Sequence, residues 1–533
     1  MKDMKHKILT IIGAGLLMLT IVSCREQSDE LVAYDHSEEL VFASADSSFA
    51  AKFKVIWNGL NQYYSLWDYE AEQGMDWDAV YDVYYPQFLA LDQRGANETV
   101  TDDELKALLD QFLNPLHDSH LYITVANHKT GSSVRSMPSL NRIMQREDFP
   151  IASTFSPNLA YYANVANGEM ETDDSGSPMI KECSTEVSDI IHVFAQTPGK
   201  GMMWVNDKIQ ELEALTSPTD LQAFQLQELK NLKEDLHQIN TMTIPAAVSF
   251  FNDKQIQYSF LNIPGFDYID PGFANKSINV KFALLKGNIA YFRLNAFSLT
   301  SYMDEKECAS NFNMNNPVTK QLVEQVKEVW QSWFDSVQEL HKNGTLGGVI
   351  IDLRNNGGGN MSDSQYVVGS LVPAGDIHFG YQRFKRGTGR FDYSPLMPAM
   401  VGSMSQPHES ITEPVVILAD CMSVSMSETS ILCLKTMPNH KVIGKRTFGA
   451  ICALTDNDAI SYNYAGLIGV EGKTAVFGHV PSMASFTLGH ELIEAQGITP
   501  DIEVDFDVTQ FQATGRDSQL DRALQYIRTG NSN

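Results

Sequence analysis

The sequence predicts a largely parallel α/β domain from about Ile278 onward, behind a helical region and a β-rich middle region. Three observations carry this. After Ile278, apolar runs of strand length alternate with amphipathic helical patterns, as right-handed β–α–β crossovers require. Between Ser47 and about Leu116, apolar and aromatic residues recur every three or four positions. Between about Leu121 and Pro264, short β-type runs are separated by loops rich in Gly, Ser and Asp. At 533 residues the chain has room for roughly three or four domains.

In the helical region, "FAAKFKVIWNGLNQYYSLWDY", "DWDAVYDVYYPQFLAL" and "TDDELKALLDQFL" each keep the helical spacing. Thr101, followed by Glu104, is a capping box. In the middle region "IIHVFA", "GMMWVND", "AAVSFF" and "IQYSFLNI" read as strands, and "DLQAFQLQELKNLKEDLHQI" as an amphipathic helix. "KTGSSVRSMPSLN" and "NGEMETDDSGSP" read as loops. The α/β region runs from strand "NIAYFRL" through a long helix ended by Asn343-Gly344 to the buried strand "GGVIIDLR". Helix "SQYVVGSLV", strand "PVVILA", helix "MSETSILCLKTM" and strand "HKVIG" follow.

Composition is that of an ordinary globular protein, with 43% hydrophobic and 20% charged residues. A formal net charge of −27 excludes nucleic acid as an expected partner, because phosphate binding needs a basic surface. The start carries a basic segment, "MKDMKHK", then the 15-residue apolar run "ILTIIGAGLLMLTIV", too short for a confident membrane span. "IVSC" then sets a small residue before Cys24, which resembles a bacterial lipoprotein signal in which Cys24 becomes the lipidated first residue. An ordinary signal peptide or signal anchor is the alternative. Residues 25–45 are polar and acidic, suited to a tether. The other five cysteines, Cys183, Cys308, Cys421, Cys433 and Cys452, lack CxxC spacing and support neither a disulfide framework nor a zinc site.

Four stretches carry candidate chemistry. "VVILADCMSVSMSETSILCLK" places Ser423, Ser425 and Ser427 where a strand hands over to a helix. Ser425 with Glu428 is a capping box. The same geometry would expose a nucleophilic hydroxyl and aim the next N–H at a developing oxyanion. "GGVIIDLRNNGGGN" ends a buried strand in Asp352 and Arg354 and turns on Gly357, Gly358 and Gly359. A phosphate loop would need a Lys-Ser/Thr ending that is absent here. "LNPLHDSHLYI" holds His117 and His120 at a spacing unsuited to one helix face, so a metal site is disfavoured against a polar turn. "HELIEAQGITPDIEV" sets Glu494 before Gly497 and a further strand.

Together these stretches resemble the tricorn-core and C-terminal processing peptidase family of serine proteases over roughly residues 47–527. The matching elements are a strand followed by D-x-R-x-N-x-G-G, the Ser-x-x-Glu helix start, "VIGKRTFG" (Val442–Gly449), Gly497–Asp501 and the terminal "DSQLDRAL". The resemblance implies a crotonase-like α/β catalytic domain, an N-terminal helical domain and a PDZ-like module in the β-rich middle, carried here by "MMWVNDKIQEL" (Met202–Leu212). The expected division is signal peptide 1–23, tether 24–46, helical domain 47–120, middle domain 121–277, catalytic domain 278–510, and C-terminal helix and tail 511–533.

The resemblance also implies roles. Ser425 is the nucleophile. One branch of the family uses a lysine directly after the "T.G" element, but that position is Ala450. Lys445, five residues earlier, is a solvated lysine rather than a displaced base. The tricorn-like branch uses a histidine from a Ser-His pair with a late glutamate, which matches Ser119, His120 and Glu494. The N–H of Met426 and one from Gly357 or Gly358 would bind the oxyanion. No cofactor or metal is implied. Peptides or unfolded proteins outside the cytoplasm are the expected substrates, with the membrane reached through Cys24. The rival from another class is a non-catalytic, peptide-binding lipoprotein on the same fold.

Overall fold

The computed structural model describes residues 48–95, 98–164, 168–186, 201–239, 250, 270, 272–386, 389–451 and 466–532. Contacts divide the chain into two compact units, each discontinuous in sequence. Among the described residues the first joins those up to 142, 381–398 and those from 466 to 495; the second joins those from 143 to 380, 399–451 and those from 496 on. Cys24 and Cys452 lie outside the described residues, as does the whole leader and tether. No helix among the described residues is long and apolar enough to cross a membrane.

The first unit packs helices against an antiparallel sheet. Helices Phe49–Tyr63, Trp77–Asp92 and Asp102–Leu113 form where the spacing predicts them. Their shared face buries Phe53, Trp57, Leu60, Phe88, Leu105 and Phe112 in one cluster. Trp57 stacks on Trp77 at 4.6 Å. Thr101 caps the third helix by accepting from the Glu104 N–H at 3.2 Å. Glu104 turns to Arg94 instead of closing the box, with Nη1 to Oε2 at 2.7 Å. The sheet has the order Leu467–Ile468, Val476–His479, Tyr122–Asn127, Ser132–Ser136, and every neighbouring pair is antiparallel. The strand at 132–136 and the short helix Pro138–Ile143 fill the stretch read as a loop. Val134 supplies the buried, alternating position that a loop reading overlooks.

The second unit is built on a seven-stranded mixed sheet of order Ile502–Glu503, His440–Gly444, Val415–Ala419, Gly348–Asp352, Ile289–Leu294, Asn279–Leu285, Ile180–Ser184. The first five strands pair in parallel and the last two join antiparallel. Gly348–Asp352 and Val415–Ala419 are buried along their whole length, as strands covered on both faces must be. Helix Pro317–Lys342 buries Val323, Val326, Trp330, Trp333 and Val337, and Trp333 stacks on Phe292 at 4.4 Å. Asn316 caps its start and Gly344, at φ 66°, follows its end.

Two readings are corrected. Gly201–Glu213 is a helix, not the strand expected for "GMMWVND" and for the PDZ-like element at Met202–Leu212. Val205 and Ile209 are buried and Leu212 half-buried at positions i, i+4 and i+7, a helical stripe. "SQYVVGSLV" holds only one helical turn, Ser364–Val367. The helix Asp220–Ile239 forms as predicted. The strand-like runs at 190–195 and 256–263, and all of 246–251 but Phe250, lie outside the described residues.

Candidate active site

The strand Val415–Ala419 delivers the chain to the serine turn, and helix Met426–Leu434 carries it away. The three serines separate clearly. Ser423 is buried; its Oγ donates to the Leu353 carbonyl at 2.8 Å and accepts from the Asp420 N–H at 3.0 Å. Ser427 is buried and donates to the Asn356 carbonyl at 2.9 Å. Ser425 is half-buried and sits at φ 56°, ψ −111°. A non-glycine residue with positive φ costs on the order of 1–3 kcal/mol and persists only where its surroundings impose it.

The surroundings do impose it. Glu428 is fully buried, and its carboxylate accepts from the Ser425 N–H at 3.3 Å, the Gly449 N–H at 2.8 Å and the Ala450 N–H at 2.7 Å. It also accepts from the Thr447 hydroxyl at 2.5 Å. Thr447 Oγ1 in turn accepts from the Ile498 N–H at 2.7 Å. One carboxylate thus ties the serine turn to the "T.G" element, and Thr447 ties that element to the Gly497–Asp501 strand entry.

The glycine turn completes this face. Asn356 uses its carbonyl to accept from the Val424 N–H at 3.0 Å and its Oδ1 to accept from the Gly358 N–H at 2.9 Å. Gly358 lies against the serine: an added Cβ would fall 2.7 Å from Ser425 Cβ and 2.8 Å from the Met426 nitrogen. The N–H of Gly358, expected among the oxyanion donors, is therefore spent inside its own turn, and Gly358 contributes the absence of a side chain. The N–H groups of Gly357 and Met426 meet no acceptor among the described residues.

Behind the turn, Asp352 and Arg354 form a buried bidentate ion pair, with Arg354 Nε to Oδ1 at 2.9 Å and Nη2 to Oδ2 at 2.6 Å. Burial pushes the Asp352 carboxyl up, but the charges of Arg354 and Arg293 outweigh it and hold the group below the usual carboxylate range. Asp420 differs. Burial outweighs its bonds from the Asn355 and Met422 N–H groups and raises it to about 6. Lys445 Nζ is paired with Glu503 and Asp505, each at 2.7 Å. The hydrogen bonds it donates to Asp505 and Glu503 raise its pKa, the opposite of what a neutral base at pH 7 requires.

Ser119, His120 and Glu494 come together in the first unit, whereas Ser425, Met426, Gly357 and Gly358 belong to the second. Glu494 is fully buried, and its Oε1 accepts from the Ser119 N–H at 2.6 Å. Asp118 Oδ1 accepts from the N–H groups of His120 at 2.8 Å and Leu121 at 2.9 Å. Glu70 accepts from the His117 N–H at 2.8 Å and pairs with His117 Nδ1 at 2.7 Å. Tyr64 donates to Glu70 and accepts from the Asp118 N–H at 3.1 Å. Among the described residues no cluster of His, Cys, Asp and Glu is arranged to hold a metal ion. Asp118 lies inside the quoted "LHDSH" stretch, whereas Tyr64 and Glu70 had no signal beyond helical spacing.

The parallel part of the mixed sheet presents a strained, half-buried serine at a strand-to-helix turn, a geometry that serine hydrolases use. Residues 288–504 match the model of peptidase family S41, a family of serine peptidases. Its similar structures include a protein of Parabacteroides merdae ATCC 43184 described as a candidate peptidase, at 17% identity over 91% of this chain and 98% of that one, with a TM-score of 0.47. Mature CPAF aligns at 10% identity over 91% and 99%, TM-score 0.46. The photosystem II D1 C-terminal processing protease aligns at 22% identity over 41% and 42%, TM-score 0.24. No curated protein matches the chain.

Proposed function

We propose that the chain is a lipid-anchored serine endopeptidase that cleaves peptides or unfolded proteins outside the cytoplasm. Its catalytic domain is crotonase-like. Ser425 attacks the scissile carbonyl, and His120 takes its proton and returns it to the leaving amine. Glu494 and Ser119 orient the imidazole. The N–H groups of Met426 and Gly357 bind the oxyanion, with the positive end of helix Met426–Leu434 behind them. The observation that carries the reading is the Ser425 turn. Of three neighbouring serines it alone is half-exposed and held at positive φ, beside a helix-start N–H with no acceptor among the described residues. Lys445 is engaged by two carboxylates, which favours the histidine branch. Because Met202–Leu212 is helical, capture of a free substrate C-terminus by a PDZ-like strand is not part of the proposal. Anchoring through Cys24 rests on the leader sequence. A fluorophosphonate should modify the intact chain at Ser425, with the modified peptide mapping to the serine turn. An unlabelled Ser425, or undiminished labelling of Ser425→Ala, would overturn the assignment.

A further inference from the structure

The main chain of the turn that carries His120 is tied down at every residue. Every N–H from His117 to Leu121 donates to a buried acid or to Tyr64: His117 to Glu70, Asp118 to Tyr64, Ser119 to Glu494, and His120 and Leu121 to Asp118. Asp118 is the member that bonds the His120 N–H itself, and it is fully buried. Its two oxygens are unequal. Oδ1 receives both N–H groups, whereas Oδ2 has no hydrogen-bond partner among the described residues. A carboxylate would leave half its charge on an oxygen with no donor, at a desolvation cost that a neutral acid avoids. The titratable and charged groups around it are Glu494, Glu70, Tyr64, His117, His120 and Arg142. Arg142 does not neutralise the site by contact, since its Nη1 donates to the Asn114 and Leu116 carbonyls.

We propose that Asp118 is a positioning residue that fixes His120 through the main chain as an uncharged acid, so that the histidine is held without a second negative charge beside Glu494. Burial first, and the neighbouring Glu494 charge second, push its carboxyl well above the usual range, in agreement with the geometry. The benefit is chemical. A second anion there would make His120 more basic and keep it protonated at pH values where it must accept a proton. This inference rests on the assignment of His120 as the base.

The test uses the full chain and the second-order rate at which a fluorophosphonate modifies Ser425, measured across pH. Asp118→Asn keeps the Oδ1 acceptor and cannot ionise. It should react within about threefold of wild type, with the acidic limb of the pH profile unmoved. Asp118→Ala removes the acceptor and should slow labelling about thirtyfold or more. Should Asp118→Ala fail to fold, Asp118→Asn still decides the question. An Asp118→Asn chain as slow as Asp118→Ala, or one whose acidic limb moves down by about one pH unit, would mean that a carboxylate is needed or present, and would overturn the inference. Wild-type labelling of a folded Asp118→Ala chain would overturn it as well. The base assignment is read separately. If His120→Ala labels at the wild-type rate, both ideas fall; if His120→Ala is slow while Asp118→Ala is not, only the role of Asp118 falls.

Discussion

Gly358 offers the sharpest perturbation because its neighbour Gly357 is its control. In Gly358→Ala the new methyl meets Ser425 Cβ and the Val424 carbonyl oxygen at 2.7 Å each and the Met426 nitrogen at 2.8 Å, all closer than carbon can approach without movement. Gly358 also sits at φ 85°, where an alanine costs about 1–2 kcal/mol. Overpacking against backbone adds about 1–3 kcal/mol, because neither the Val424 carbonyl nor the Met426 N–H can rotate aside. The sum is about 2–5 kcal/mol of stability. Whatever relief the turn finds displaces Ser425 or Met426, and with the Met426 N–H in its proposed oxyanion role its loss would cost about 100- to 1,000-fold in turnover. At Gly357 an added Cβ meets nothing within 4 Å, and φ is not positive. Gly357→Ala should therefore stay within about 0.5 kcal/mol and a few-fold of wild-type activity. Urea unfolding midpoints and hydrolysis of fluorescein-labelled casein would be compared for both variants. Equal behaviour of the two, or a fully active Gly358→Ala, would refute the close packing of the glycine turn on the serine.

Three further outcomes are expected. Ser425→Ala and His120→Ala should each lower casein hydrolysis by about a thousandfold or more, with little extra loss in the double variant, while Lys445→Ala stays within a few-fold; an inactive Lys445→Ala beside an active His120→Ala would reverse the choice of base. Asp420, raised from 3.8 to about 6, binds its proton more tightly folded than unfolded, so stability falls as pH rises through that window and the full penalty, about 3 kcal/mol, acts above it. Asp420→Asn should accordingly raise the urea midpoint at about pH 8 and lose that advantage towards pH 4, and a pH-independent difference would contradict the burial argument. Cys24→Ala should move the chain out of the membrane fraction, and a wild-type chain that incorporates no lipid analogue would remove the anchor.

Much of the second unit was readable from local pattern. Runs such as "GGVIIDLR" and "PVVILA" become fully buried strands because a parallel sheet covered on both faces accepts only continuous apolar segments. The spacing of Ser425 to Glu428 marked a helix cap, since a helix start constrains residues three apart whatever the rest of the fold does, whereas its choice as nucleophile among three serines came from the family resemblance. The reading failed where local pattern is ambiguous. "GMMWVND" suits a strand by composition, and the apolar stripe of Val205 and Ile209 makes it a helix. Tertiary structure alone decided what the hydroxyls and carboxyls touch. Ser423 and Ser427 are consumed by the Leu353 and Asn356 carbonyls, which lie 70 and 71 residues away in sequence. Glu428 is shared among four donors rather than serving only a cap. Glu494 reaches Ser119 across 375 residues. Such contacts are set by which chain segments the sheet and helices bring together, and hydrogen-bond partners remote in sequence leave no periodic mark on it.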